Sequence, residues 1–410
     1  MARFKRHSTL LAILVIVLPF ALVAWQTGLS QPFDFDEGDY HVPVVRQFVQ
    51  ELPTPDLVHY HSATTPLMHL TLAAWGKLVG TEPWKLRLPV LLAGVLASVV
   101  FFLLLKERRE PWPLRLTLFL VTYPYLFWLS FLVMTEVFAF LFGVLALRAF
   151  LRTPATRRDA MFFALWASLA VLTRQQWLFL PLGAGLFWLW QDKSLQRAAW
   201  AAIPVLAFLP FLLAWRGMAP PIKWATPHTL GLNLVQIPHV LILTGFYFFP
   251  ALLTAPIPWK RLRWPFLLAL PLFALSPLIP AMPQVLQIHP AQSVFAGSFA
   301  NISNLAARFL PPLLIHAGYF FLYAWGMLIL LQAWFRRQQD DTAALWPAVI
   351  IFLLMLLTVG QAWERYLPPV IPFFILIFYA PQRQNRWLLN VWLGVQWLLL
   401  AGFLWFQINV

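Results

Sequence analysis

The chain has 410 residues, of which 61% are hydrophobic and only 11% charged, and its mean hydropathy is +0.72. This composition excludes an ordinary soluble enzyme and predicts a polytopic helical membrane protein. The net charge of +14 could indicate a nucleic-acid partner. Its distribution between apolar stretches is instead typical of membrane topology, so no nucleic-acid partner is expected. The chain contains no cysteine, which excludes disulfides and a thiol nucleophile.

The apolar stretches predict an all-α fold with about 13 transmembrane helices in a single membrane domain over 1–410. The first stretch follows a basic segment and is predicted to be a retained signal anchor, because it is longer than the apolar core of a signal peptide and lacks a clean cleavage site. The predicted spans are 8–27, 86–105, 113–132, 135–151, 160–173, 176–190, 198–215, 236–256, 264–280, 311–334, 343–361, 366–380 and 387–408.

The charges between the spans predict the orientation of the chain. With a cytoplasmic N-terminus, 20 of the 29 basic residues fall on the cytoplasmic side and 9 outside, whereas the 15 acidic residues divide into 6 inside and 9 outside. This positive-inside bias predicts an extracytoplasmic C-terminus and long outer loops at 28–85 and 281–310. The cytoplasmic loops are short and carry no phosphate-binding glycine motif, so a cytosolic nucleotide site is not expected.

Two apolar stripes at helical spacing lie within the first outer loop. They predict helices that lie in the membrane interface rather than crossing the bilayer. The first stripe contains Val45, Phe48, Val49 and Leu52, and the second contains Leu67, Leu70, Ala74 and Leu78.

The first outer loop opens with an acidic cluster a few residues after the first span. The segment Phe33-Asp34-Phe35-Asp36-Glu37-Gly38-Asp39-Tyr40-His41 places four carboxylates, a tyrosine and a histidine in nine residues. A chain with so few charges gains no structural benefit from this crowding, so we predict that the cluster carries chemistry, with Asp36 and Glu37 as the catalytic candidates. A divalent cation at these carboxylates is an open alternative. His59, His61 and His69 do not follow a metal-ligand spacing.

Other polar side chains are predicted to reach the same outer level of the membrane from separate segments. Arginines beside carboxylates suit a phosphate-bearing lipid held next to a group that accepts a proton. These further binding candidates are Asp39, Tyr40, His41, His61, Thr64, Thr65, Glu136, Arg174, Gln175, Glu364, Arg365 and Tyr366.

Several of these motifs resemble those of the GT-C glycosyltransferases, which use polyprenyl- or dolichyl-phosphate sugars. Asp36-Glu37-x-x-Tyr40 resembles the acidic first-loop motif of the protein mannosyltransferase and aminoarabinose transferase branch. Thr64-Thr65-Pro66, Arg174-Gln175 and His41-x-Pro43 resemble the dolichyl-phosphate-glucose α1,2-glucosyltransferase branch. Glu364-Arg365-Tyr366-Leu367-Pro368 resembles the Arg-Tyr-x-x-Pro segment late in many members.

The chain also departs from both branches. The spacing from Asp36-Glu37 to His41 is one residue longer than in the glucosyltransferase pattern. Where the mannosyltransferase branch tends toward Pro-Pro, this chain has Thr65-Pro66-Leu67. The branch is therefore not assigned by these motifs.

The resemblance implies an inverting transfer of a hexose from a polyprenyl-phosphate sugar to a glycan, lipid or protein acceptor on the extracytoplasmic face. It implies that Asp36 is the general base on the acceptor hydroxyl. Arg365 and Arg174 would neutralise the departing phosphate, and Glu37, Asp39 and Glu136 would orient sugar hydroxyls or the base. No cofactor is implied.

Two other classes of function remain open at this point. A transporter or flippase of lipid-linked sugars would show internal repeats and charged or broken spans at mid-membrane, and the sequence offers no convincing repeat. A polysaccharide ligase or polymerase would use a lipid pyrophosphate and favour more basic outer loops. The absence of cysteine and the short loops favour a bacterial inner membrane.

Overall fold

The computed structural model describes residues 2–32, 36–152, 156–221, 236–253, 308–338, 342–358, 364–379 and 386–409, with isolated residues between 232 and 306. Over these ranges the regular structure is helical, as the composition predicts. The chain divides into two compact units. The first is Met1–Val121 with Leu126–Thr229, and the second is Thr122–Tyr125 with Leu230–Val410.

The first unit contains the acidic segment and most of the predicted site. Its α-helices are α1 (Ala2–Thr27), α2 (Val42–Glu51), α3 (Leu67–Val79), α4 (Pro83–Glu107), α5 (Pro113–Val121), α6 (Pro124–Leu129, of which the first two residues are assigned to the second unit), α7 (Thr135–Phe150), α8 (Arg157–Thr173), α9 (Phe179–Trp190) and α10 (Leu195–Trp215). A π-helical turn, Glu37–His41, precedes α2, and a 3-10 turn, Gln175–Leu178, precedes α9.

Local sequence explains several helix boundaries in this unit. The N-terminal cap of α8 is Thr156, whose hydroxyl accepts from the backbone of Asp159 while the Asp159 carboxylate accepts from the backbone of Thr156. This reciprocal arrangement satisfies two backbone donors at the helix start. Pro83 occupies the first turn of α4, where its missing N–H costs nothing. Gly143 lies in α7, and the Trp177 ring packs into the space that a Cβ at this position would need.

The second unit contains α11 (Gln236–Tyr247), α12 (Pro312–Arg336), α13 (Trp346–Leu356), α14 (Ile371–Phe374) and α15 (Arg386–Asn409). Short 3-10 turns lie at Phe249–Leu252, Ala343–Leu345, Glu364–Tyr366 and Pro368–Val370, and a π-helical turn at Ile375–Tyr379. Two glycines allow α11 and α12 to approach closely. A Cβ on Gly245 would lie 2.1 Å from the Leu322 carbonyl oxygen, and one on Gly326 would lie 1.9 Å from that of Leu241. Such backbone contact requires glycine at both positions.

Five helices in the described ranges are long and apolar enough to cross a membrane: Ser8–Thr27, Pro83–Glu107, Leu195–Trp215, Pro312–Arg336 and Trp387–Trp405. Each coincides with a predicted span, and together they are the helices of an integral membrane protein. The predicted span 113–132 is not one continuous helix. It divides into α5 and α6, because Pro124 lacks the N–H that would continue a helix and disfavours helical geometry at the residue before it.

The total of 13 spans stays a prediction, as does the single membrane domain. Most of the predicted span 264–280 and of the predicted outer loop 281–310 lies outside the described residues.

Both helices expected in the first outer loop are present. In α2, Val45 and Phe48 of the apolar stripe are fully buried. In α3 the buried residues include Met68, His69 and Leu72, whereas Leu78 of the apolar stripe is 83% exposed. The interfacial placement predicted for both helices stays a prediction.

Candidate functional site

The centre of the acidic segment is a buried ion pair between Glu37 and Arg87. Glu37 is the first residue of the π-helical turn, and Arg87 lies one turn into α4. Arg87 donates through Nη2 to Glu37 Oε2 at 2.6 Å and through Nε to Oε1 at 3.0 Å. Both side chains are almost completely buried. This two-bond geometry is the strongest way in which a guanidinium holds a carboxylate.

Arg87 also orders the chain that leads into the acidic segment. Its Nη1 donates to the carbonyls of Leu29 (3.2 Å) and Gln31 (2.8 Å), and its Nη2 donates to that of Pro32 (3.1 Å). The backbone N–H of Val133 donates to Glu37 Oε1 at 2.6 Å. One arginine therefore fixes the segment that follows α1, the start of the π-helical turn and, through Glu37, the residues before α7.

Sequence analysis missed Arg87. It lies inside the predicted span 86–105, and a charged residue within an apolar span is itself a signal of a functional or paired group.

Asp36 and Asp39 differ from Glu37 in their surroundings. Asp36 immediately precedes the turn, is half-buried, and its side chain does not cap the turn. Asp39 is exposed. Both oxygens of Glu37 are thus engaged by Arg87, whereas the described contacts of Asp36 and Asp39 include no such pair with Arg87.

A cluster of aromatic and histidine rings lies behind the turn. Tyr40 stacks on His61 with ring centroids 5.3 Å apart. His41 and His69 are both buried, with His41 Nδ1 3.0 Å from His69 Nε2. Burial, reinforced by the neighbouring His41, holds the pKa of His69 well below its usual range. His69, which sequence analysis did not assign to the site, is therefore a neutral ring that supports the turn.

The predicted threonines are buried beside this cluster. Thr65 donates through its hydroxyl to the Val171 carbonyl of α8 at 2.8 Å. The Thr64 hydroxyl lies 3.0 Å from that of Ser62, and the Thr64 carbonyl accepts from the Tyr60 hydroxyl. Thr65 therefore links this part of the first loop to α8, whereas Thr64 forms hydrogen bonds within the loop.

Glu136 and Arg174 form a second pair within the same unit. Arg174 Nη1 lies 2.9 Å from Glu136 Oε1 and also donates to the Thr135 hydroxyl at 2.9 Å. Glu136 is 4% exposed. Gln175 donates to the carbonyls of Ala63 (2.7 Å) and Met218 (2.9 Å), whereas its buried Oε1 has no hydrogen-bond partner among the described residues. The structure thus brings Glu136 and Arg174 into contact and links Gln175 to the first loop.

Glu364 belongs to the second unit. Its buried carboxylate accepts from the Tyr247 hydroxyl and, at 3.4 Å, from the backbone N–H of Phe299. Its carbonyl accepts from the Tyr123 hydroxyl at 3.1 Å. Burial raises the pKa of Glu364 to about 8, although the two hydrogen bonds that its carboxylate accepts lower this pKa.

The other two candidates of this segment are less informative. Tyr366 is half-buried at the end of the same 3-10 turn, and the side chain of Arg365 lies outside the described residues.

Within the part of the chain that the structure describes, no group of three or more histidine, aspartate and glutamate side chains could hold a metal ion. In the acidic segment, Glu37 is already bound by a guanidinium. A divalent cation at these carboxylates stays an untested alternative.

No family model matches the chain, and no curated protein matches it. Among solved structures it is similar to two crystal structures of ArnT from Cupriavidus metallidurans, one in the apo state and one bound to undecaprenyl phosphate. The apo structure is 15% identical with a TM-score of 0.41, over 95% of this chain and 76% of that one. The bound structure is 16% identical with a TM-score of 0.40, over 93% and 77%. The similarity is low in sequence and in superposition, and no residue role is transferred from ArnT.

Proposed function

We propose that the protein is an inverting membrane glycosyltransferase that moves a hexose from a polyprenyl-phosphate sugar to a glycan, lipid or protein acceptor. The observation that carries this proposal is the half-buried Asp36 next to the buried Glu37–Arg87 pair. The motif resemblance at Asp36-Glu37-x-x-Tyr40 supports the reaction class. A donor that arrives within the bilayer, already activated, is consistent with the apolar helices of the chain.

In the proposed reaction, Asp36 accepts the proton of the acceptor hydroxyl. The hydroxyl oxygen bonds to C1 of the sugar as the bond from C1 to the phosphate oxygen breaks, which inverts C1 and releases polyprenyl phosphate. A positioned general base contributes roughly 10²–10⁴-fold to such a rate.

Glu37 has a different proposed role from Asp36. Its carboxylate is buried and bound twice by Arg87, so it cannot approach a substrate without losing both bonds. We assign Glu37 and Arg87 as positioning residues that fix the turn on which Asp36 lies. The catalytic candidate of this segment is then Asp36 alone.

The proposed donor site uses the remaining predicted residues. Arg174 is assigned to the donor phosphate, and the orphaned Oε1 of Gln175 is a buried acceptor suited to a sugar hydroxyl. The role at a donor phosphate that the motif resemblance implies for Arg365 stays a prediction. Arg174 is already paired with Glu136, so it can meet a phosphate only as part of that pair. The other binding candidates of the sequence analysis stay candidates: Asp39, Tyr40, His41, His61, Thr64, Thr65, Glu364 and Tyr366.

The finer membrane arrangement is part of the same proposal. It comprises about 13 spans, α2 and α3 in the outer interface, a cytoplasmic N-terminus, an extracytoplasmic site and a bacterial inner membrane. The exposed apolar face of α3, with Leu78 at 83% exposure, is consistent with contact to lipid headgroups and upper acyl chains.

The test separates the enzyme from a flippase. Purified protein in proteoliposomes is given labelled polyprenyl-phosphate-glucose, followed by a panel of other sugars, together with a crude lipid-linked acceptor pool. A glycosyltransferase moves the label into the acceptor with inversion at C1 and releases polyprenyl phosphate. Label that crosses the bilayer while still attached to its original lipid, with no transfer from any donor, would contradict the proposal and favour a transporter.

A further inference from the structure

An arginine-lined cavity lies at the opposite ends of the two helices that carry the candidate site. Its volume is 180 Å³, and it is lined by Leu104, Glu107, Arg108, Arg148, Leu151 and Arg152, from the C-terminal ends of α4 and α7 and the residues after them. Along α4, Glu107 is roughly 30 Å from Arg87 at about 1.5 Å per residue. The cavity is therefore separate from the Asp36 site.

Ion pairs hold the cavity arginines in place. Arg148 donates to both oxygens of Glu107, through Nε at 2.9 Å and through Nη2. Arg152 Nη2 lies 3.8 Å from the same carboxylate, and its Nη1 lies 3.1 Å from Asp159. Arg108 Nε donates to Glu110 at 3.3 Å. These pairs use only part of the five donors that each guanidinium carries. The groups are thus ordered in advance and still able to donate.

The surroundings of the cavity are strongly basic. Segments 106–110 and 148–159 contain seven lysines and arginines and three acidic residues, a net charge of +4. The three acids are those already paired with the cavity arginines. A negatively charged group that enters the cavity therefore meets an excess of positive charge, whereas a cation would be repelled.

The size and the apolar floor indicate what kind of anion fits. A single buried water needs about 10–15 Å³, so a cavity of 180 Å³ accommodates a tetrahedral phosphate. Leu104 and Leu151 give the cavity an apolar side next to two membrane helices. Basic pockets between helices on the cytoplasmic side of a membrane are typical sites for anionic lipid headgroups.

We infer that this cavity binds a phosphate group, through Arg108, Arg148 and Arg152, on the face of the protein opposite the Asp36 site. Two sources share this chemistry, the phosphodiester headgroup of an anionic inner-leaflet lipid and free phosphate. The inference does not depend on the proposed glycosyl transfer, because it concerns residues outside that site.

The test measures lipid binding to the full-length protein by native mass spectrometry after delipidation. Phosphatidylglycerol, phosphatidylcholine and inorganic phosphate are added separately. The variant Arg108→Gln/Arg152→Gln removes two cavity charges and spares the Arg148–Glu107 pair. The matched control, Arg157→Gln/Arg158→Gln, removes two exposed charges from the same basic segment outside the cavity. Thermal unfolding in phosphatidylcholine establishes whether both variants are folded. If the Arg108→Gln/Arg152→Gln variant does not fold, Arg108→Lys/Arg152→Lys takes its place.

Wild type is expected to bind phosphatidylglycerol in preference to phosphatidylcholine. The cavity variant should bind it roughly 30-fold more weakly, from about fivefold per arginine, and the control variant within about threefold of wild type. With lysine replacements, binding should weaken less, because the charge is kept while the planar fork is lost. Binding of inorganic phosphate with the same arginine dependence, and no gain from the lipid, would support the phosphate site with free phosphate as its source. Equal losses in the cavity and control variants would overturn the inference. So would the absence of a preference over phosphatidylcholine together with the absence of arginine-dependent binding of inorganic phosphate.

Discussion

Replacement of Arg87 by leucine should destabilise the first unit more than the loss of any exposed ion pair. The substitution leaves Glu37 buried with the Val133 N–H as its remaining donor among the bonds described above. It also removes the donor to the carbonyls of Leu29, Gln31 and Pro32. Breaking a buried pair from one side costs about 3–5 kcal/mol, because an uncompensated charge stays buried. We expect a loss of free energy of unfolding in that range.

The measurement is a double-mutant cycle on the free energy of unfolding. Arg87→Leu, Glu37→Gln and the double variant are unfolded by SDS titration in mixed micelles, with tryptophan fluorescence as the signal. The double variant should lose less than the sum of the single variants, with a coupling energy of about 2–3 kcal/mol. The control cycle uses Arg197 and Asp192, which are 2.8 Å apart and about one-third exposed. Its coupling should be below about 1 kcal/mol.

One result would refute this reasoning. If the coupling between Glu37 and Arg87 were no larger than that of the exposed Arg197–Asp192 pair, the buried pair would not be what holds the acidic segment in place. The assignment of Glu37 and Arg87 as positioning residues would then fail.

Three further predictions concern packing, pH and metal dependence. Gly326→Val should lower the free energy of unfolding by roughly 1–3 kcal/mol or more, because the added side chain pushes α12 away from the α11 backbone. In the control Gly318→Ala the added Cβ meets no atom within 4 Å, so stability should not fall. Equal losses of Tm in the two variants would contradict this. Because the pKa of Glu364 is about 8 when folded and 4.5 ordinarily, the folded state keeps a proton that the unfolded state loses. The free energy of unfolding should therefore fall from about pH 4.5 to about pH 8, by on the order of several kcal/mol. In urea titrations, Glu364→Gln should make this fall smaller. An unchanged slope of the unfolding free energy against pH would exclude Glu364 as the cause. Because both oxygens of the Glu37 carboxylate are bound by Arg87, EDTA should leave the rate of sugar transfer unchanged. Loss of transfer in EDTA that Mg²⁺ or Mn²⁺ restores would contradict this and establish a metal site.

Hydrophobic periodicity predicted the two helices of the first loop but did not say which of their residues are buried in the protein. In α2 the polar residues occupy one face, so the apolar stripe through Val45 and Phe48 could be identified. In α3 apolar residues occur all round the helix, so periodicity alone cannot choose the inner face. The buried residues of α3 are Met68, His69, Leu72, Ala73 and Gly76, none of which belongs to the apolar stripe.

The candidate site was predictable as a location but not as a set of contacts. The density of carboxylates after the first span indicated Asp36 and Glu37, because charge is rare in this chain. Their different roles depend on Arg87, 50 residues later than Glu37 and concealed within an apolar span. The Glu136–Arg174 pair likewise joins residues 38 apart, and no spacing rule reveals such a contact.

The most direct test of the central claim is the rate of sugar transfer by Asp36→Asn compared with wild type and Glu82→Gln, at equal donor occupancy. Glu82 is an exposed carboxylate of the same loop, paired with Lys85 and outside the candidate site. The proposed mechanism predicts a loss of roughly 10²–10⁴-fold for Asp36→Asn with donor binding retained, and no loss for Glu82→Gln. Transfer by Asp36→Asn within a few-fold of wild type would contradict the assignment of Asp36 as the general base.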